Sequence, residues 1–179
     1  MSEPERQVAL IGMMGTGKTT VGALLAAELG YDFVDLDAVL AERAGLSIPE
    51  IFAREGESGF RRRERKLLLE INGRRRQVLS TGGGIVLDPA NTATLRAGGL
   101  VVALIASVEA IVARVGGGCG RPLLAVADPA AAVTRLARAR DGLYRAAADL
   151  VLETTSLAPA EAALMLARWC RTHPGLRKP

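Results

Sequence analysis

Five short apolar runs alternate with stretches of helical pattern along this chain, and the alternation limits the folds open to it. The runs are QVALIG, DFVDLD, QVLSTGGG, LVVALIA and DLVLET, which begin at residues 7, 32, 77, 100 and 149. Strands separated by helices of this length pair in parallel through right-handed crossovers. We therefore expect an α/β fold of three layers, with a sheet of about five parallel strands flanked by helices.

The helical patterns predict where the crossovers lie and how many domains the chain forms. No repeat, linker or abrupt change of composition divides the sequence. A length of 179 residues suffices for one well-buried domain and is short for two, so we expect a single domain over residues 1–179. Helices are predicted over 17–29, 37–44, 48–72, 89–97, 108–115, 129–148 and 159–171.

Residues 12–19, GMMGTGKT, satisfy the GxxxxGK[ST] pattern of a phosphate-binding loop between the first strand and the first helix. Glycines there let backbone N–H groups turn toward phosphate oxygens, and the helix N-terminus adds the positive end of its dipole. Lys18 would reach the β- and γ-phosphates, and the Thr19 hydroxyl would bind Mg²⁺. The alternative is a glycine-rich turn that only resembles the motif, and the flanking strand and helix argue against it.

The nucleotide is expected to be ATP. A GTPase needs a guanine motif of the Asn-Lys-x-Asp type, and the other lysines, Lys66 and Lys178, have no such setting. The loop therefore indicates an ATP-dependent kinase or an ATPase.

Composition excludes several chemistries and locations. The single histidine, His173, and the separated Cys119 and Cys170 are too few for a zinc site or for thiol or Ser-His catalysis, so a general base should be a carboxylate. The cysteines give no disulfide framework, MSEPERQ lacks a basic region followed by an apolar core, and no apolar run is long enough to span a bilayer. We therefore expect a cytoplasmic protein without a membrane partner.

Arginine is abundant, with 20 arginines and three lysines against 19 acidic residues. Clusters such as FRRRER at 60–65 and GRRRQ at 73–77 could mark a nucleic-acid surface. Compositional bias and small anionic substrates explain the same surplus, so we expect no nucleic-acid partner.

Two acids, Asp35 and Asp37, stand where the second predicted strand ends. Ligands of an open parallel sheet bind beyond the carboxyl ends of its strands, so both carboxylates should face the crevice of the phosphate loop. One acid would lie near Mg²⁺ or its water shell, and the other would accept a hydrogen bond from the hydroxyl that receives the phosphate. Alternatively, one of them caps a helix that begins near Ala38.

Two further glycine-rich segments are candidates for ligand contact. Gly82, Gly83 and Gly84 remove every side chain where the backbone must approach a ligand, although a tight turn without a ligand is the alternative. The segment of about 116–128 is expected to be a mobile lid, in which Arg121 could swing over the transferring phosphoryl group. Closure would exclude water, the competing acceptor. An ordinary flexible loop is the alternative there.

Several motifs in order resemble the shikimate kinase family over about residues 8–159. They are the phosphate loop, DLD at 35–37, GESGFRRRE at 56–64, STGGG at 80–84, RPLL at 121–124 and RDGLY at 140–144. The resemblance implies a nucleoside monophosphate kinase-like fold. It also implies ATP-dependent phosphorylation of the 3-hydroxyl of shikimate, in the pathway to chorismate and the aromatic amino acids, by what we expect to be a monomer.

The resemblance also implies roles for individual residues. Arg61 and Arg140 would bind the carboxylate of shikimate, Asp37 would hold its hydroxyls as the candidate base, and residues 37–72 would form the substrate-binding helical region. The expected catalytic residues are Lys18, Asp37 and Arg121, and Mg²⁺ would rest on Thr19 and, through water, on Asp35. Backbone amides of Gly82, Gly83 and Gly84 would contact the substrate. ATP would contact Gly15, Thr16, Gly17, Lys18, Thr19, Thr20, Arg114 and Arg121.

Three points stay open at this stage. Arg61 and Arg140 each lie among other arginines and could instead belong to solvated helix faces. The segment ETTSLAP, residues 153–159, lacks the basic residues expected in the family, which leaves the adenine-side contacts undefined. The rival functions are another small-molecule kinase, such as a gluconate or nucleoside monophosphate kinase, and a catalytically silent phosphate-loop protein that binds nucleotide for regulation or contacts nucleic acid.

Overall fold

The computed structural model describes residues 6–115 and 126–173, and in these ranges the chain forms one parallel sheet covered by helices. All neighbouring strands are parallel, in the order β2-β3-β1-β4-β5. This arrangement confirms the predicted α/β fold with five parallel strands. The strands are β1 (Gln7–Ile11), β2 (Asp32–Asp35), β3 (Gln77–Ser80), β4 (Gly99–Ile105) and β5 (Leu150–Glu153).

The helices agree with the predicted ranges to within one or two residues at each end. Two details were not predicted: a short 3-10 helix at Ile85–Leu87, and a kink at Gly56, where φ is 69° and ψ is −179°. Glycine adopts this backbone conformation at no steric cost. The helices are α1 (Lys18–Leu29), α2 (Leu36–Ala44), α3 (Ile48–Ile71), α4 (Pro89–Gly98), α5 (Val108–Val115), α6 (Pro129–Ala147) and α7 (Pro159–Thr172).

Strand β1 lies at the centre of the sheet and is buried along its whole length. Because side chains alternate across a strand, Val8 and Leu10 pack into the core beneath α1 and α7, whereas Ala9 and Ile11 pack into the core on the opposite face. The second core takes residues from α2, α3, α4, α5 and α6. The sheet is therefore the middle layer of three. Because helices cover both of its faces, a ligand can reach it only at the strand ends.

Local signals in the sequence set the helix bounds. Ser47 and Glu50 form a capping box at the start of α3, and Asp88 caps α4 through the backbone N–H of Ala90. Gly30 and Gly45 end α1 and α2 in the left-handed conformation, with φ of 65° and 63°. Because β1, β2 and β3 are parallel, their carboxyl ends lie at one edge of the sheet.

No helix in the described parts of the chain is both long enough and apolar enough to cross a membrane.

The start of β4 allows a sharp test of core packing. A Cβ added to Gly99 would lie 2.1 Å from the backbone carbonyl oxygen of Gln7 on β1, a contact that only a backbone shift can relieve. We expect Gly99→Ala to lower the free energy of unfolding by about 3 kcal/mol. Urea denaturation followed by circular dichroism measures this change.

The matched control is Gly142→Ala on α6, where an added Cβ meets no atom within 4 Å. Alanine is the better helix former, so this variant should be as stable as the parent or up to about 1 kcal/mol more stable. Equal stability of the two variants would contradict the close approach of β1 and β4 at Gly99.

Candidate active site

A cavity of about 650 Å³ opens at the carboxyl ends of the strands. Arg121 and most of the predicted lid, residues 116–125, lie outside the described residues. Segments that are far apart in the sequence thus meet in one cavity. The predicted site residues that line it are Gly15, Thr16, Gly17, Lys18, Thr19, Thr20, Asp35, Asp37, Arg61, Gly82, Gly83, Gly84, Arg114 and Arg140.

The phosphate loop joins β1 to α1 with a backbone that only glycine adopts readily. The φ angles of Gly12, Gly15 and Gly17 are 142°, 78° and 98°. A Cβ on Gly12 would also lie 2.1 Å from the carbonyl oxygen of Leu104 on β4. Gly17 is the N-cap of α1, so the loop ends at a helix N-terminus, where backbone N–H groups and the helix dipole favour anions.

Lys18 is held inside the phosphate loop. Its Nζ donates hydrogen bonds of 2.9 Å to the carbonyl oxygens of both Gly12 and Met13, and the residue is 8% exposed. The hydroxyl of Thr16 donates to the same Met13 carbonyl at 2.7 Å. The ammonium group is therefore fixed where the loop would receive phosphate oxygens.

Asp35 links the phosphate loop to α2. Its Oδ2 accepts a 2.8 Å hydrogen bond from the Thr19 hydroxyl, and its Oδ1 accepts from the backbone N–H groups of Asp37 and Ala38 at 3.1 and 3.2 Å. Asp35 is thus the N-cap of α2, which begins at Leu36 and not near Ala38. Of the two acids, the one that caps the helix is Asp35, while Asp37 lies in the first helical turn and lines the cavity.

Thr19 and Asp35 suit a magnesium ion that also binds phosphate. The described residues contain no cluster of three or more His, Cys, Asp or Glu side chains that could hold a metal by themselves. Mg²⁺ prefers oxygen ligands and is usually held by one or two carboxylates together with waters and substrate phosphates. A hydroxyl and a carboxylate 2.8 Å apart beside the loop meet that requirement.

Arg61 lines the cavity and forms an ion pair with Glu64, which lies behind the cavity wall. The guanidinium contacts Glu64 Oε2 at 2.8 Å and Glu57 Oε1 at 3.2 Å, and Glu64 is fully buried. Burial raises the pKa of the Glu64 carboxyl, although Arg61 opposes the shift. Burial would lower the pKa of Arg61, but the carboxylates of Glu64 and Glu57 outweigh it and raise that pKa. The pair fixes the direction of the guanidinium.

Two of the three successive glycines leave room for these charged groups. A Cβ on Gly82 would lie 2.8 Å from Glu64 Oε1 and 3.1 Å from an oxygen of Asp37, and one on Gly84 would lie 2.1 Å from a guanidinium nitrogen of Arg61. Gly83 instead lies against the phosphate loop, where a Cβ would make ordinary contacts of 3.4 Å or more. The turn therefore lies between the charged groups of Asp37, Arg61 and Glu64 on one side and the phosphate loop on the other.

Aromatic side chains form part of the same wall. Phe52 and Phe60 stand on either side of the Gly56 kink with ring centroids 4.7 Å apart, and the Arg61 guanidinium lies 5.1 Å from the Phe60 ring. Arg140, on α6, is only 4% exposed and also lines the cavity. This part of the cavity thus combines an apolar surface with the buried guanidinium group of Arg140 and the partly buried one of Arg61.

Arg114 and Thr154 join the divergent 153–159 segment to the phosphate loop. The Arg114 guanidinium donates to the carbonyl oxygens of Thr154, Thr155 and Gly15 at 2.7, 3.0 and 3.2 Å. The Thr154 hydroxyl donates to the carbonyl oxygen of Thr16 at 3.0 Å. Because these contacts use the backbone of the segment, they need no basic side chain there. Contact of Arg114 with ATP stays a prediction.

The arginines of the FRRRER cluster have separate places in the structure. Arg61 faces the cavity, whereas Arg63 makes a paired contact with Glu55 on the surface. Arg65 donates to the carbonyl oxygen of Ala90 at 2.9 Å and to Asn91 and Thr94 on α4. The cluster therefore serves contacts within the chain as well as the cavity.

The fold and the cavity together define a small-molecule kinase of the phosphate-loop class, with a nucleotide end at the loop and an acceptor end at the ion pair. A family model described as shikimate kinase matches residues 14–171. The chain belongs to the shikimate kinase family.

Individual relatives agree with this assignment. A shikimate kinase of Geobacter sulfurreducens is 46% identical over 175 residues, which cover 97% of this chain and 96% of that one. A shikimate kinase of Pseudomonas entomophila is 50% identical over 154 residues, covering 86% and 90%. The structure of shikimate kinase from Acinetobacter baumannii in complex with shikimate has a TM-score of 0.92 and 38% identity, and the match covers 98% of this chain and 97% of that one.

Proposed function

We propose that this protein transfers the γ-phosphoryl group of ATP to the 3-hydroxyl of shikimate, giving shikimate 3-phosphate and ADP. The observation that carries the proposal is one cavity with the phosphate loop at one end and Asp37 beside the Arg61–Glu64 pair at the other. Family membership supports the same reaction. Its product would feed the synthesis of chorismate and the aromatic amino acids.

Catalysis in this proposal is mainly positioning and charge neutralisation. Phosphoryl transfer proceeds through a loose transition state whose negative charge is spread over the phosphate oxygens. Lys18 and the loop N–H groups would bind those oxygens at the helix N-terminus, and Arg121 would add a further positive charge. Mg²⁺, held by Thr19 and, through water, by Asp35, would supply Lewis-acid neutralisation of the phosphates. Arg114 would bind near the adenine.

The acceptor end would hold shikimate by complementary groups. The carboxylate would bind the guanidinium groups of Arg61 and Arg140, and Glu64 would keep Arg61 directed into the cavity. Phe52 and Phe60 offer an apolar surface to the ring. Asp37 would accept a hydrogen bond from the reacting hydroxyl, which orients its oxygen toward the phosphate loop. Backbone N–H groups of Gly82, Gly83 and Gly84 would complete the contacts.

A monomeric state, a cytoplasmic location and the absence of a nucleic-acid or membrane partner belong to the proposal as predictions. Gel filtration of the purified protein measures the first of these.

The experiment that tests the function is ADP release with ATP and Mg²⁺ in the presence of different acceptors. We expect shikimate to stimulate release, whereas gluconate and nucleoside monophosphates should leave it at the rate without acceptor. Identification of shikimate 3-phosphate by mass spectrometry completes the test. ATP binding without stimulation by shikimate would keep the nucleotide site and overturn the acceptor assignment.

A further inference from the structure

We infer that Tyr144 is a positioning residue, whose hydroxyl sets the distance between the acceptor turn, Gly82–Gly84, and the phosphate loop. The inference deepens the proposed function and rests on it for its meaning in catalysis. Tyr144 lies on α6, four residues after Arg140, so both side chains leave the helix on the same face. Tyr144 is 2% exposed and is not among the residues that line the cavity.

The Tyr144 hydroxyl contacts both the acceptor turn and the phosphate loop. It donates a 2.5 Å hydrogen bond to the backbone carbonyl oxygen of Gly83, and the hydroxyl oxygen of Tyr144 lies 4.0 Å from the sulfur of Met13. Met13 belongs to the phosphate loop, and its carbonyl oxygen binds Lys18. One hydroxyl group thus contacts the acceptor turn and the phosphate loop together.

The hydrogen bond from Tyr144 joins the acceptor turn to α6, whereas the other two carbonyl groups of the turn bind N–H groups that directly follow it in the chain. The carbonyl oxygens of Gly82 and Gly84 accept from the N–H groups of Ile85 and Leu87, which hold the 3-10 helix that follows. The carbonyl oxygen of Gly83 accepts instead from the Tyr144 hydroxyl. Three glycines in a row restrict the backbone very little, so a fixed anchor is needed to define the turn.

The position of Gly83 makes the consequence for catalysis specific. A Cβ on Gly83 would lie 3.4 Å from the Gly12 carbonyl oxygen and 3.5 Å from the Met14 nitrogen, so the turn lies directly against the loop. Its neighbours Gly82 and Gly84 border Asp37, Glu64 and Arg61. A shift of the turn would therefore change the spacing between the acceptor groups that border it and the loop, whereas the loop keeps its own hydrogen bonds from Lys18 and Thr16.

Burial keeps the hydroxyl protonated and able to donate. Removal from water raises the pKa of Tyr144 to about 12, although the positive charge of Arg140, a hydrogen bond with that side chain and the charge of Arg61 oppose the shift. The carbonyl of Gly83 therefore keeps its donor throughout the neutral pH range.

Tyr144→Phe tests the inference because it removes the hydroxyl and keeps the ring. We expect kcat/KM for shikimate to fall at least about ten-fold, since a misplacement of about 1 Å can cost a hundred-fold. The dissociation constant of ATP, measured without acceptor, should stay within about two-fold, because the loop keeps its Lys18 contacts. Tyr31→Phe, far from the cavity, is the matched control and should leave both quantities unchanged.

A second measurement does not depend on the acceptor. Amide hydrogen exchange of Ile85 and Leu87 in the ligand-free protein should be about ten-fold faster in Tyr144→Phe, with the α1 amides unchanged. If kcat/KM of Tyr144→Phe equals that of the parent, the role in positioning the acceptor is overturned. It is overturned as well if the affinity for ATP falls by the same factor as kcat/KM. If the parent protein fails to phosphorylate shikimate, the proposed function falls, and the exchange rates alone decide whether Tyr144 fixes the turn.

Discussion

Replacing Lys18 with alanine should lower shikimate-dependent ADP release by about 10²- to 10³-fold, the cost typical of losing one preorganised group that stabilises developing charge. The ammonium group is buried in the phosphate loop and held by the carbonyl oxygens of Gly12 and Met13. No other lysine in the described residues lines the cavity, and the Arg114 guanidinium beside the loop is already bound to the carbonyl oxygens of Gly15, Thr154 and Thr155. Initial rates at saturating ATP and shikimate measure the loss.

The control for this variant is Lys66→Ala, which removes an exposed lysine from α3 and should leave turnover unchanged. Circular dichroism of both variants checks that the loop change has not unfolded the protein. A Lys18→Ala protein that turns over within about three-fold of the parent would contradict the role given to the loop.

Replacing Asp37 with asparagine should lower kcat by about 10²-fold or more while ATP affinity changes little. Asparagine keeps the size of the side chain but loses the negative charge that accepts the hydrogen bond of the reacting hydroxyl. The Asp37 carboxylate borders Gly82 and raises the pKa of Glu64, which places its charge at the acceptor end of the cavity. Steady-state kinetics with shikimate varied, together with ATP titration by calorimetry, separate the two effects.

Asp32→Asn is the matched control for this change. Asp32 begins β2, is exposed, and lies at the opposite end of the strand from the cavity. Its replacement should alter neither kcat nor ATP affinity. A normal kcat in Asp37→Asn would show that this carboxylate neither orients nor deprotonates the acceptor, and the assignment of the acceptor end would then have to change.

The fold was predictable because its main signals are local. Apolar runs and helical periodicity gave the strands and helices nearly to the residue, and the phosphate-loop glycines identified the first crossover. The kink at Gly56 was not predictable, since the residues on both sides have helical pattern and the positive φ has no separate mark in the sequence. The 3-10 helix was missed for a similar reason, because three residues are too few to show a period.

Site residues that belong to a sequence motif were predictable. The residues that hold them in place were less so, because such contacts have no signal in the local sequence. Arg61 and Asp37 could be named from the sequence, but Glu64, which holds Arg61, looked like one more charge on an arginine-rich helix. The contact of Tyr144 with Gly83 spans 61 residues and has no local signal. Asp35 and Asp37 were indistinguishable as helix caps until the backbone showed which carboxylate receives the N–H groups.

The kink in α3 has an evolutionary consequence. It divides the helix into two arms, residues 48–55 with Phe52 and residues 57–71 with Phe60, Arg61 and Glu64, so the side chains that α3 gives to the acceptor end turn about one residue. A side chain at Gly56 would meet no neighbour, but the left-handed backbone there would be strained and would tend to straighten the helix. A single replacement at this position would re-aim both arms while the phosphate loop keeps its shape. Descendants of such a protein could thus acquire a different acceptor without rebuilding the nucleotide end.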